Sequence, residues 1–233
     1  MTTPTSTAQA IAIAVDDAQS VSGLLQIPSD AVACYVLAHG AGAGMMHPFM
    51  QNIADALAAR RIATLRYQFP FMEKGTRRPD SPKLAQATVR AAVAQAAQLL
   101  PGVTLIAGGK SFGGRMTSQA QAASALPRVE GLAFLGFPLH PAGKPSDERA
   151  THLIDVKTPL LFLQGTRDEL ADLALIQALI ERLGRRATLK LFADADHSFH
   201  VRKRSGRTDL QVIDELSSAF VDWLQTRVVP GRT

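Results

Sequence analysis

Ser111 lies in Gly109-Lys110-Ser111-Phe112-Gly113, where the apolar run VTLIAGG meets FGGRMTSQAQAAS, a stretch with helical periodicity. A hydroxyl at such a junction could attack a carbonyl carbon. A sharp strand-to-helix turn forces the serine into a strained backbone conformation and lifts its side chain above the sheet. The turn brings strand and helix together two residues before and two residues after the serine, and glycine holds both positions. The start of the helix would add partial positive charge beside a developing oxyanion. Lys110, next to the serine, is expected to point to solvent.

Serine is a weak nucleophile unless a base takes its proton and a carboxylate orients that base. On a turn of this kind the partners follow in the order Ser, Asp or Glu, His. Asp168 comes after the apolar run PLLFLQG, and His197 comes after ATLKLFA, in DADHSFH; the intervals of 57 and 29 residues leave room for the intervening strand-helix units. Glu169 and Asp172 are rival acids and His200 a rival base. Glu169 is expected in the first turn of the next helix, where an acid is favoured for its own sake. Asp194 and Asp196 are expected as turn formers. The oxyanion would be met by the backbone N–H groups of Phe112 and of Ala41, the latter in HGAGAG, residues 39–44, whose glycines let the backbone approach a substrate. His39 is expected to brace that loop by hydrogen bonding.

Gly109-Lys110-Ser111 also suggests a phosphate loop, but that loop needs a glycine at position 104, which is Thr104 inside a strand. A dinucleotide site is excluded as well. GAGAGM, residues 40–45, has Met45 where the third glycine belongs, and the next strand ends Leu65-Arg66-Tyr67 without an acid. No cofactor and no metal are therefore expected.

Eight apolar segments could position these groups: QAIAIAV, SVSGLLQI, VACYVLAH, IATLRY, VTLIAGG, EGLAFLGF, PLLFLQG and ATLKLFA. From the third segment onward, helical patterns separate most of them: residues 47–61, a long Ala-rich stretch capped by Ser81 with Pro82 at its first position, FGGRMTSQAQAAS, ELADLALIQALIERLG and about 208–227. Apolar strands without alternation, separated by helices, predict an α/β class fold: a mostly parallel, doubly wound sheet of 7–8 strands with helices on both faces. Ligands of such sheets bind beyond the carboxyl ends of the strands, where Ser111, Asp168 and His197 all fall.

With 46% apolar and 19% charged residues, the 233-residue chain is expected to form a single domain, with residues 1–8 as a flexible N-terminus. No targeting or membrane-spanning run is apparent, which predicts a cytoplasmic protein with no membrane partner. Cys34, the sole cysteine, is expected as a buried small hydrophobe. The basic run HVRKRSGR, residues 200–207, has no nucleic-acid motif and no interleaved aromatics, so no nucleic-acid partner is expected.

HGAGAG with MHPFM, LRYQFPFMEKG, GGKSFGGRM, QGTRDEL and DADHSF together resemble the small serine α/β-hydrolases, specifically the dienelactone-hydrolase-like bacterial proteins, over about residues 20–225. The resemblance implies the α/β-hydrolase fold, with the nucleophile at Ser111, the acid at Asp168, the base at His197 and oxyanion donors at Phe112 and Ala41. Dienelactone hydrolase itself uses a cysteine nucleophile, so its lactone substrate does not carry over.

The connection after the sixth strand, LGFPLHPAGKPSDERATHL, holds only about 20 residues, which predicts an open site without a sizeable lid domain. Such a site suits small acyl groups better than long lipid chains, whose burial needs a covering apolar surface. Met45, Met46, Phe71, Met72, Phe137 and Leu139 are on the correct sheet edge to line an acyl pocket. Arg66 and Arg115 could orient an acidic group of the substrate, but internal ion pairs with carboxylates are the expectation. The reading is a serine hydrolase of small carboxylic esters working through an acyl-enzyme. A non-catalytic interaction module of the same fold, or a thioesterase or peptidase with the same residues, is the alternative.

Overall fold

The computed structural model describes residues 7–229, so the expectation of a flexible segment at 1–8 lies, for its first six positions, outside the described residues. The eight apolar segments form β1 (Gln9–Ala14), β2 (Ser20–Gln26), β3 (Ala33–Ala38), β4 (Ile62–Tyr67), β5 (Thr104–Lys110), β6 (Val129–Leu135), β7 (Leu160–Gly165) and β8 (Ala187–Phe192). They make one sheet in the order β1-β2-β4-β3-β5-β6-β7-β8. β2 pairs antiparallel with β1 and β4, and every pairing from β4 to β8 is parallel.

The helices are α1 (Pro48–Ala58), α2 (Pro70–Glu73), α3 (Pro82–Leu99), α4 (Phe112–Ala123), α5 (Leu173–Leu183) and α6 (Asp209–Trp223). Two separate cores explain why β3 is apolar and buried at every position. Cys34, Val36 and Ala38 of β3 join α3, α4 and α5 on one face, whereas Ala33, Tyr35 and Leu37 join α1 and α6 on the other. Cys34 is fully enclosed, and burial pushes its thiol up to about 12.

Helix starts follow local chemistry. Ser81 Oγ accepts the Leu84 N–H at 3.4 Å with Pro82 behind it, and Thr208 forms a capping box with Gln211. One start differs from the sequence expectation. α5 begins at Leu173, capped by Asp172, whose Oδ1 accepts the N–H groups of Ala174 and Leu175 at 3.0 and 3.1 Å. Glu169 thus sits in a turn ahead of the helix, because the aspartate cap sets the boundary downstream of it. The short α2 was not anticipated; Pro70 at its first position is the only local signal.

The β6–β7 connection carries one short 3-10 helix, Glu148–Asp155, and no inserted lid domain. Among the described residues no helix is long and apolar enough to cross a membrane.

Candidate active site

Ser111 joins β5 to α4 with φ 50° and ψ −115°, a backbone conformation that L-residues rarely adopt. The neighbouring strand makes the glycines obligatory. A Cβ on Gly109 would stand 2.2 Å from the Ala38 carbonyl oxygen, and one on Gly113 would stand 2.5 Å from that of His39. Both glycines therefore let the turn press against the end of β3, which also carries the HGAGAG loop.

His197 Nε2 lies 2.8 Å from Ser111 Oγ, and His197 Nδ1 lies 2.7 Å from Asp168 Oδ2. The imidazole side chain is 23% exposed, while the Asp168 side chain has no exposure. That carboxylate also accepts the Leu170 N–H at 2.8 Å and Gln164 Nε2 at 2.5 Å. Gln164 went unnoticed in the sequence. Its Oε1 accepts the Phe137 N–H at 2.9 Å, which turns its amide N–H toward Asp168. The rivals are occupied elsewhere: Asp172 caps α5, and His200 Nδ1 is 2.8 Å from Asp209 on α6. Asp196 accepts the Ser198 and His200 N–H groups at 2.8 and 3.0 Å, the turn-forming part expected of it. In the basic run, Arg207 pairs with Glu215 of α6 at 2.6 Å.

His39 is fully buried. Its Nε2 accepts the Phe69 N–H at 2.9 Å, which leaves Nδ1–H to donate to the Gly40 carbonyl at 2.7 Å. Burial pushes its pKa down to about 4, so the ring is neutral and ties the HGAGAG loop to the segment after β4. A histidine whose folded pKa is below its unfolded value takes up a proton more readily when unfolded. Stability therefore falls as pH drops from about 6.5 toward about 4. Urea unfolding is expected to show a loss of about 2 kcal/mol from this group between about pH 7 and about pH 5. His39→Gln should flatten that dependence; an identical slope in the variant would refute this account.

A cavity of about 460 Å³ opens beside Ser111. Residues 40–43 line one wall, and the apolar Phe49, Met50 and Leu170 and the polar His47, Lys110, His197 and Ser198 complete the lining. Ala41 is in that wall, and a Cβ on Gly40 would lie 3.7 Å from Ser111 Cβ, so the loop rests against the serine. Phe112 opens α4, where a helix leaves its first N–H groups without intrahelical acceptors.

The expected acyl-pocket residues are elsewhere. Met45, Phe71, Phe137 and Leu139 are buried, Met72 packs partly against the same core, and Met46 is 67% exposed; none of the six lines this cavity. They do follow strand ends, but Phe71 joins a ring cluster with Phe69, Phe112 and His39, and Phe137 packs against Phe134 and Phe162. Core packing claimed these large rings. Nor do Arg66 and Arg115 form the expected ion pairs among the described residues. Arg66 is fully buried and donates to the Met45 carbonyl at 3.3 Å; burial pushes its pKa down, with Asp55 opposing. Lys110 differs too: it turns inward and donates to the His197 carbonyl.

A mostly parallel sheet of this order, with a serine on a tight β5–α4 turn facing a histidine after β8, is the architecture of an α/β hydrolase. The chain belongs to the alpha/beta hydrolase domain family, whose model matches residues 31–225. Its fold is similar to that of dienelactone hydrolase from Anabaena variabilis, with a TM-score of 0.76 at 20% identity over 96% of this chain and 99% of that one. It is similar also to a lidless α/β serine hydrolase from Xanthomonas campestris (TM-score 0.72, 22% identity, 93% and 95% covered). An esterase from Pyrococcus furiosus matches at a TM-score of 0.73 and 17% identity, with 96% and 94% covered.

Proposed function

We propose that the protein is a serine carboxylesterase for small esters, with Ser111 as nucleophile, His197 as general base and Asp168 as the carboxylate that orients it. The observation that carries this reading is the unbroken hydrogen-bond series from Ser111 through His197 to the buried Asp168, at 2.8 and 2.7 Å, beside an open cavity. His197 Nε2 takes the Ser111 proton as Oγ adds to the ester carbonyl. The resulting oxyanion is met by the N–H groups of Ala41 and Phe112, and collapse expels the alcohol, which takes the proton from His197. Water activated by the same imidazole then releases the acid and frees Ser111. The carboxylate of Asp168 stabilises the imidazolium and fixes its tautomer.

A fluorophosphonate probe tests the reading: it should label the protein once, on the peptide containing Ser111. No labelling would favour a non-catalytic module, and labelling elsewhere would remove Ser111 from its role. Substrate length provides a second test. Phe49, Met50 and Leu170 offer limited apolar wall, so acyl carbons beyond the cavity return to water and contribute none of the roughly 0.8 kcal/mol that a buried methylene supplies. Along p-nitrophenyl esters from acetate to decanoate, kcat/KM is expected to peak among the short chains. A peak at decanoate would contradict an open, lidless site.

A further inference from the structure

We propose that Lys110 is a positioning residue for His197: it ties the backbone of the histidine loop to the segment that carries Ser111, and so holds the imidazole between Ser111 and Asp168. The proposal rests on the hydrolase reading above.

Adjacent residues grip one histidine at two points. Ser111 Oγ meets the imidazole at 2.8 Å, and Lys110 Nζ donates to the His197 carbonyl at 2.5 Å. The ammonium also lies 5.5 Å from the centroid of the Phe199 ring, within cation-π range. The loop's other ties are internal or run to other elements. Asp196 holds Ser198 and His200, the Ala195 carbonyl accepts the Arg167 N–H, and Phe199 stacks on Phe49 of α1. Among the hydrogen bonds of the described residues, those of Lys110 and Ser111 are the ones that join this loop to the end of β5. Room for the lysine comes from Gly136, where a Cβ would stand 3.1 Å from Nζ and 3.3 Å from the His197 carbonyl oxygen.

A purely structural part explains this lysine poorly. Burial pushes its pKa down to about 8, against the pull of Asp168 and Asp196, the carboxylates that favour its charge. At neutral pH the fold thus carries a partly buried ammonium where an apolar stem would fill the same space at less expense to stability. What the ammonium supplies is a directed donor of long reach, aimed at the base.

Lys110→Met keeps the stem and removes the donor. For a short p-nitrophenyl ester, kcat is expected to fall by about tenfold to a hundredfold with KM within about threefold, because methionine keeps the stem at the cavity and a neutral ester offers the ammonium no charge to bind. Tm should hold or rise. Lys110→Cys alkylated with 2-bromoethylamine returns an ammonium to the same place, the buried Cys34 being protected from the reagent, and should recover kcat to within about threefold of wild type. Hydrogen exchange of the amides of residues 196–201 should quicken in Lys110→Met and slow again in the aminoethylated protein. A kcat within about twofold of wild type in Lys110→Met, or a loss that the restored ammonium leaves unrepaired, would overturn the proposal. A wild-type protein inert to esters would instead overturn the hydrolase reading. The exchange rates then decide alone: faster exchange in Lys110→Met upholds the tie, and unchanged exchange removes it.

Discussion

Ser111→Ala is expected to lower kcat/KM for short esters by about 10⁴-fold or more, a loss of at least roughly 5 kcal/mol of transition-state stabilisation. Alanine offers no atom to form the acyl bond, and the turnover that remains should reflect water attacking an ester held by the proposed oxyanion donors, the N–H groups of Ala41 and Phe112. The fold should be indifferent to the change. Ser111 is half-exposed, its recorded side-chain hydrogen bond is the one to His197, and alanine keeps the same Cβ on the same φ of 50°. Tm should move by no more than about 2 °C, since Ser111, although at the N-cap position of α4, makes no side-chain capping bond, and substitutions that remove no core contact alter stability little. The double variant with His197→Ala should be no slower than the slower single one, because residues acting as a unit are not additive. Turnover by Ser111→Ala within about tenfold of wild type would show that the hydrolysis takes place at another group.

Gly109→Ala is expected to do the opposite, striking the fold before the chemistry. The added methyl would stand 2.2 Å from the Ala38 carbonyl oxygen and 2.8 Å from its carbon, on a residue whose φ is 148°. A flexible side chain could swing away, but Ala38 is backbone in β3, which is paired to β4 on one side and to β5 on the other. Relief requires parting strands at the centre of the sheet. Strain and overpacking together should remove about 4 kcal/mol or more, a large share of the roughly 5–15 kcal/mol that stabilises an ordinary domain. A sharp fall in soluble yield and in the urea midpoint is the measurable result. Gly102→Ala serves as the control, since its new Cβ would meet nothing within 4 Å. Equal midpoints for the two variants would mean that the approach of the turn to β3 is not a constraint.

Much of the fold was legible because its signals are local. Each central strand announced itself as an apolar run, each major helix by its period, and Ser81-Pro82 marked a helix start within a residue. The chain order of Ser111, Asp168 and His197 likewise named the three residues that the distances bring together, since each follows a strand that ends on one edge of the sheet. Asp172 shows the limit of local reading. Asp168 was assigned as the acid from chain order, but the next helix, expected from Glu169, starts only at Leu173, because Asp172 and not a residue further upstream caps it.

By itself, then, the sequence determined the succession of strands and helices, the glycine-flanked turn at Ser111 and the edge of the sheet where polar groups gather. Tertiary structure decided which side chains line the cavity and which are consumed by the core. Phe71, Phe137 and Leu139 follow strand ends just as the site residues do, yet they pack inward, while Phe49, Met50 and Leu170 form the wall beside Ser111. Lys110 and Gln164 gained their contacts in the same way. Lys110 reaches His197 across 87 positions of chain, and the amide of Gln164 turns toward Asp168 because Phe137, 27 positions away, occupies its other end. The physical reason is range. Periodicity, capping and turn chemistry act over a few residues, whereas the direction of a side chain at a strand end depends on which distant segments the sheet order sets beside it.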